Sequence, residues 1–268
     1  MTAAVPEDWA GIAHPRAEVR PRIACLVPSL TELLFALDLG DHVVARTGFC
    51  VHPRTSVKAV AKVGGTKDVD LARLRELAPT HLIVNVDENR RDVVDAARAF
   101  VPHVVVTHPL GPLDNVRLFE LFGAVFGRER EAAGLNAQFA DALSVLDATA
   151  ARLPRERVLY LIWRKPWMTV APGTYIAATL ARAGWDTVPA AAALRYPELG
   201  EGDAAWRDAD RILVSSEPYA FRERDAQELS RRWRKPAHVI DGEWTSWYGA
   251  GAISGLRALA QFRDALAR

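Results

Sequence analysis

The sequence predicts an α/β protein of two lobes, each with a parallel sheet flanked by helices, joined by one long interlobe helix. Three observations predict it. Short apolar runs alternate with amphipathic segments of roughly 8 to 12 residues, the pattern of strand–helix–strand crossovers in a sheet covered on both faces. From residue 115 to 152 the alternation stops and no strand pattern interrupts a continuous helical periodicity. After residue 157 it resumes and runs to the C-terminus.

The elements follow in order. Residues 22–27, RIACLV, read as a buried strand ended by Pro28. Ser29-Leu30-Thr31-Glu32 has the Ser-x-x-Glu form of a capping box, which opens a helix running through Leu39 and closed by Gly40. Residues 43–46 are the next strand, followed by the loop TGFCVHP. A second loop, VGGTKD at 63–68, precedes a helix over 71–77. HLIVNV after Thr80 is again a strand, then a helix spans 91–100 and a strand 103–106. Leu118, Leu121, Phe122, Val125 and Phe126 mark one helical face. Past Gly127, Leu135, Phe139, Leu143 and Leu146 mark another over 129–152, a helix of about 36 Å at 1.5 Å per residue. Strands at 157–163, 211–215 and 238–240 then alternate with helices at 174–183, 226–233 and 252–266. The expected organisation is an N-terminal extension, 1–21; a first lobe, 22–126; a linking helix, 127–154; and a second lobe, 155–268.

Composition narrows the function. The 268 residues carry 34 basic and 33 acidic side chains, a net charge of +1, too even for a partner such as nucleic acid or an anionic membrane. No stretch of about 18 apolar residues is present to span a bilayer. Cys25 and Cys50 are too few for a disulfide framework or a four-thiolate zinc site, and allow one bridge at most. Residues 1–22 lack the apolar run of a secretory signal. The expectation is therefore a cytoplasmic monomer as written, periplasmic if an upstream signal has been lost.

Ligands of such sheets bind outside the carboxyl ends of the strands, which directs attention to the loops there. Seven of the eight tryptophans lie after residue 160. Trp185, Trp206 and Trp233, on or beside helices, read as core. Trp163, Trp167, Trp244 and Trp247, at strand ends and in loops, suit either packing or a flat apolar wall for a ligand. Phe49, Tyr196, Tyr219 and Tyr248 add aromatic surface in similar places. Thr66, Lys67, Asn85, Glu88, Asn89 and Arg90 supply amide and charged groups on the first lobe, as ligand donors or as solvated and capping side chains. Together they suit a large, flat, amide-decorated ligand. The Cys50-x-His52 pair, with His81, His103, His108, Asp87 and Glu88, matches no zinc signature, so no protein-ligated metal is expected. No G-x-S-x-G elbow, phosphate loop or dinucleotide fingerprint occurs.

The order RIACLVPSLTELLFALDLGDHVVART, TGFCVHP and KVGGTKDVDLARLRELAPTHLIV, with the long helix and a second α/β lobe behind it, resembles the helical-backbone (class III, TroA-like) substrate-binding proteins of ABC importers. The likeness, over 22–266, is to their cobalamin and iron-siderophore branch. It implies non-catalytic binding of cobalamin or a related corrinoid or metal chelate in a cleft between two lobes, with no cofactor required. By position it places Phe49 in a loop that supplies an aromatic residue, Thr66 and Lys67 where the family has a tryptophan, and Asn85 near another aromatic position. Tyr196 falls where an aromatic residue faces the ligand, and Trp163 and Trp247 lie close to further contact positions. The resemblance also implies docking on a transporter permease through one glutamate per lobe. Ala72 stands at the first of these positions with Glu76 one turn later, and Glu198 or Glu201 is available for the second. Two alternatives stay open: a siderophore or haem in the same cleft, and a cytosolic enzyme using Cys50, His52, Asp87 and Glu88.

Overall fold

Ile23, Ala24 and Cys25 are wholly buried and form β1 (Ile23–Cys25), the central strand of a five-stranded sheet. The computed structural model describes residues 6–17 and 20–267 and divides into two units. The first holds the described residues up to Pro109 with Leu113–Gln138 and Tyr248–Gly251; the second holds Leu110–Pro112, Phe139–Trp247 and the described residues from Ala252.

In the first unit β1 is flanked by β2 (Val43–Arg46) and β3 (Ala61–Lys62) on one side and by β4 (His81–Asn85) and β5 (His103–Thr107) on the other, all parallel. Helix α1 (Pro28–Ala36) follows β1, α2 (Leu71–Glu76) precedes β4, and α3 (Arg91–Ala97) crosses from β4 to β5. One core layer joins Leu26, Val63, Leu74, Leu82, Val94 and Val104. The expected capping box is corrected: α1 starts two residues earlier, with Pro28 in its first turn and Val27 as an N-cap without a side-chain bond, so Ser29 is already helical. Proline's fixed φ and missing N–H suit it to that place. α4 (Asp114–Phe126) ends at Gly127, whose φ of 67° is left-handed. α5 (Glu129–Ala151), 23 residues long, begins in the first unit and ends in the second.

The segment read as an extension is built into this unit. Asp8 Oδ2 accepts from the Val106 N–H at 2.9 Å and pairs with His14 Nε2 at 3.0 Å, while Trp9 N–H donates to the Val106 carbonyl at 3.1 Å. The outer edge of β5 is thereby covered, which removes an exposed pairing edge. Arg117 stacks over Trp9 at 4.1 Å.

The second unit's sheet contains β6 (Glu156–Trp163), β7 (Trp167–Thr169), β8 (Trp185–Thr187), β9 (Glu198–Leu199), β10 (Arg211–Ser215) and β11 (Ala237–Ile240). Its path runs β11-β10-β6-β7-β9, with β8 also on β6. Pairings of β6 with β10 and β8, and of β10 with β11, are parallel; β7 is antiparallel to both neighbours. The wholly parallel sheet expected here is therefore mixed. Arg164, Lys165 and Pro166 alone join β6 to β7, and a parallel crossover needs a dozen residues or more. Helices α6 (Tyr175–Arg182), α7 (Ala204–Asp208), α8 (Glu223–Trp233), α9 (Glu243–Ser246) and α10 (Gly251–Ala265) complete the chain. α6 is capped by Thr174, whose hydroxyl accepts from Ala177 N–H.

Candidate functional site

At the carboxyl end of the first sheet, the polar residues expected to meet a ligand are bonded largely to one another. Asn89 Oδ1 accepts from the Asn85 N–H at 2.8 Å, and its amide donates to the Leu26 and Thr66 carbonyls at 3.3 and 2.9 Å. Asn85 Oδ1 accepts from the Asp87 N–H at 2.8 Å. Both asparagines are buried, so these bonds satisfy groups that would otherwise be costly. Glu88 accepts a hydrogen bond from Tyr248, and burial together with that carboxylate pushes the buried phenol well above its usual range. Arg90 is exposed and forks onto Asp92 at 3.0 and 2.6 Å. His52 is half-buried, Lys67 is exposed, and Phe49 is 64% exposed with its ring edge against Gly65. Val51, Val86 and Leu113 of the same unit are exposed as well.

The second unit assembles its aromatics into an array. Trp163, the last residue of β6, is 39% exposed and meets Tyr219 edge-on with centroids 5.6 Å apart. Tyr219 touches Phe221 at 4.6 Å, Phe221 stacks on Trp167 at 6.1 Å, and Trp167 meets Trp206 at 5.7 Å. Trp167 is half-buried against the core, with Arg164 5.2 Å above its ring. The array runs from an exposed strand end into the core, so its inner members hold its outer members in place. Tyr196 is half-buried beneath Arg195. Trp244 packs on α10, edge-on to Phe262 at 5.8 Å, and Trp247 is 9% exposed with its N–H on Glu217 at 3.1 Å.

With this geometry in hand, a sequence profile of the periplasmic binding protein family matches residues 23–234. The chain belongs to that family. Membership makes this a non-catalytic binding protein of the ABC-importer type, and the family's periplasmic character supports the periplasmic expectation rather than the cytoplasmic one. The binding protein is similar in fold to the periplasmic vitamin B12 binding protein BtuF of Vibrio cholerae, with a TM-score of 0.79 at 16% identity over 91% of this chain and 97% of that one. It is similar also to the periplasmic heme-binding protein RhuT from Roseiflexus sp. RS-1, with a TM-score of 0.79 at 20% identity over 92% and 99% of the two chains. A periplasmic heme binding protein from Pseudomonas aeruginosa gives 0.77 at 18% identity over 92% and 94%. No curated protein matches the chain.

The binding protein's cysteines remove the nucleophile from the enzyme alternative. Cys50 is buried, its Sγ accepts from the Thr31 hydroxyl at 3.1 Å and shares a hydrogen bond with the Thr47 hydroxyl at 3.2 Å, and burial holds its thiol above the usual range. A protonated, inaccessible thiol is no nucleophile. Cys25 is likewise free and buried, its thiol raised by burial and by Cys50. Among the described residues no group of three His, Cys, Asp or Glu side chains is placed to hold a metal ion. His108 and Asp87 sit 3.5 Å apart, whereas His81 stacks on His103 at 4.7 Å at the opposite end of the same strands. Burial, then His103 and His14, lower His81 to about 4. A cleft of about 860 Å³ opens there, beside Pro15, Thr80, His81, Pro102 and His103, away from the residues singled out for ligand contact.

Sequence reasoning missed Glu217 and Ser246. The signal was the run Ser215-Ser216-Glu217-Pro218, which places a carboxyl straight after an apolar strand.

Proposed function

We propose that the binding protein holds a metal chelate, cobalamin or a related corrinoid, through side chains at the carboxyl ends of its two sheets. One observation carries the reading: Trp163 stands 39% exposed at a strand end, propped edge-on by Tyr219. An indole kept out of the core and held by a second ring is a surface for a flat apolar ligand. Phe49, exposed on the first unit, supports the same reading. Fold neighbours that bind vitamin B12 or heme support a ligand of the tetrapyrrole class. Heme or a ferric siderophore on the same side chains is the second reading, favoured by the heme-binding neighbours.

The proposed partner is an ABC permease, met by the protein as a monomer outside the cytoplasm. Of the available carboxylates, Glu76 pairs with Arg73 at 2.8 Å and Glu201 with Arg232 at 2.6 Å, while Glu198 is exposed on β9. Titration with cyanocobalamin, followed by tryptophan fluorescence, tests the reading. Saturable quenching with a Kd on the order of 10 μM or tighter is expected. No quenching by cyanocobalamin, haemin or a ferric hydroxamate would overturn it.

A further inference from the structure

Glu217 is held more firmly than a loop carboxylate needs to be. It lies two residues past the end of β10, and its Oε1 accepts from Ser246 Oγ at 2.8 Å and from the Trp247 indole N–H at 3.1 Å. Gly242 makes room for it, since a Cβ at that position would fall 2.4 Å from Glu217 Cγ. The second oxygen, Oε2, accepts no hydrogen bond from any described residue. Burial, then Glu243 and Asp241, push this carboxyl above the ordinary carboxylate range. Neither neighbour compensates it: Asp241 accepts from the Ser216 hydroxyl and the Glu243 N–H at 3.4 and 3.1 Å. Beside it in sequence is Tyr219, which props Trp163 at the end of the adjacent strand β6.

We infer that Glu217 is the specificity-determining residue of the second unit, selecting a macrocyclic chelate edged with carboxamide N–H groups over one edged with carboxylates. The inference rests on the proposed function and adds the ligand's edge chemistry to it. A fixed carboxyl with one oxygen already doubly bonded offers its other oxygen to a donor, and an amide N–H meets that need. A ligand carboxylate would instead bring a like charge toward Glu217, Asp241 and Glu243, in a place where Ser246 and Trp247 already hold Glu217 and keep it from turning away.

The test compares cyanocobalamin, whose periphery carries amides, with haemin, whose periphery carries two carboxylates, by fluorescence titration of the wild type and of Glu217→Gln. The substitution keeps an oxygen for Ser246 and Trp247 and replaces the outward acceptor by a donor. The expected result is about a tenfold shift in the ratio of the two Kd values toward haemin, read with far-UV circular dichroism to establish that the variant is folded. Should Glu217→Gln fail to fold, Glu217→Asp retracts the acceptor while keeping the charge, and is expected to weaken cyanocobalamin several-fold without improving haemin. If the wild type binds a chelate and the ratio stays within twofold in the folded variant, this inference is overturned and the proposed function stands. If neither chelate binds the wild type, this inference is overturned, and the proposed function falls with it when a ferric hydroxamate also fails to bind.

Discussion

Asn89 Nδ2 donates to the carbonyl oxygen of Thr66 at 2.9 Å. The amide of Asn89, which reads as a ligand donor in the sequence, is thus spent on backbone carbonyls, and with the bond to Leu26 it fastens the loop after β3 to the end of β1. The polar face of the first unit is in this sense a frame, on which the exposed Phe49 is carried.

Replacing Asn89 by alanine leaves the Leu26 and Thr66 carbonyls without this donor and the Asn85 N–H without its acceptor. A loss of about 2 kcal/mol in unfolding free energy is expected from urea denaturation. An unchanged midpoint would show that water replaces all three bonds at no cost.

Trp163→Ala and Trp206→Ala separate wall from core. Trp163 is partly in solvent, so its loss is expected to leave the melting temperature within a few degrees while weakening chelate binding about tenfold or more. Trp206, 1% exposed and stacked on Trp233 at 4.8 Å, is expected to cost about 3–5 kcal/mol of stability. Trp247 falls between them: its burial and its bond to Glu217 predict that Trp247→Ala lowers stability as well as affinity.

What the sequence made legible was periodicity. The strand over 211–215 and the long helix from Glu129 were read within a residue of their ends, because a run of apolar side chains or a repeat at three and four specifies an element locally. Partners distant in sequence were not legible. Nothing near Asn89 points to Leu26, 63 residues away, and nothing near Asp8 points to Val106. The same limit governs the tryptophans. Trp244 and Trp163 both sit outside long elements, yet only tertiary packing turns one onto Phe262 and leaves the other exposed. β7 and β9 were missed because two or three residues carry no period.

Glu156 predicts an acid-sensitive core. It accepts from Trp185, Arg211 and Arg263 at 2.9, 3.1 and 2.8 Å. Burial acts to raise its pKa, but the bonds from Arg211 and Trp185 and the two guanidinium charges outweigh it, and the net shift is downward from 4.5. A depressed folded pKa contributes stability that is present above 4.5 and lost as pH falls through the folded value. Glu156→Gln is therefore expected to cost about 3 kcal/mol near pH 7, where it leaves the buried Arg263 without a counter-charge, and progressively less as pH falls below 4.5. A cost that stayed constant with pH would assign it to packing alone.

Asp8→Ala tests the strap over β5. Its carboxylate serves the N–H groups of Ala10, Ile12 and Val106 and the His14 ring, so its removal is expected to lower stability by about 2 kcal/mol and to speed hydrogen exchange at the Val106 amide. Wild-type protection at that amide in the variant would contradict the assignment.

The central claim is that the protein binds a flat metal chelate without altering it, and equilibrium dialysis of the purified protein against cyanocobalamin tests it most directly. The account predicts retention of one chelate per chain, recovered with an unchanged absorption spectrum after denaturation, and loss of most of that retention in Trp163→Ala. Retention no greater than that of a buffer blank, for cyanocobalamin and for haemin and a ferric hydroxamate run in parallel, would contradict it.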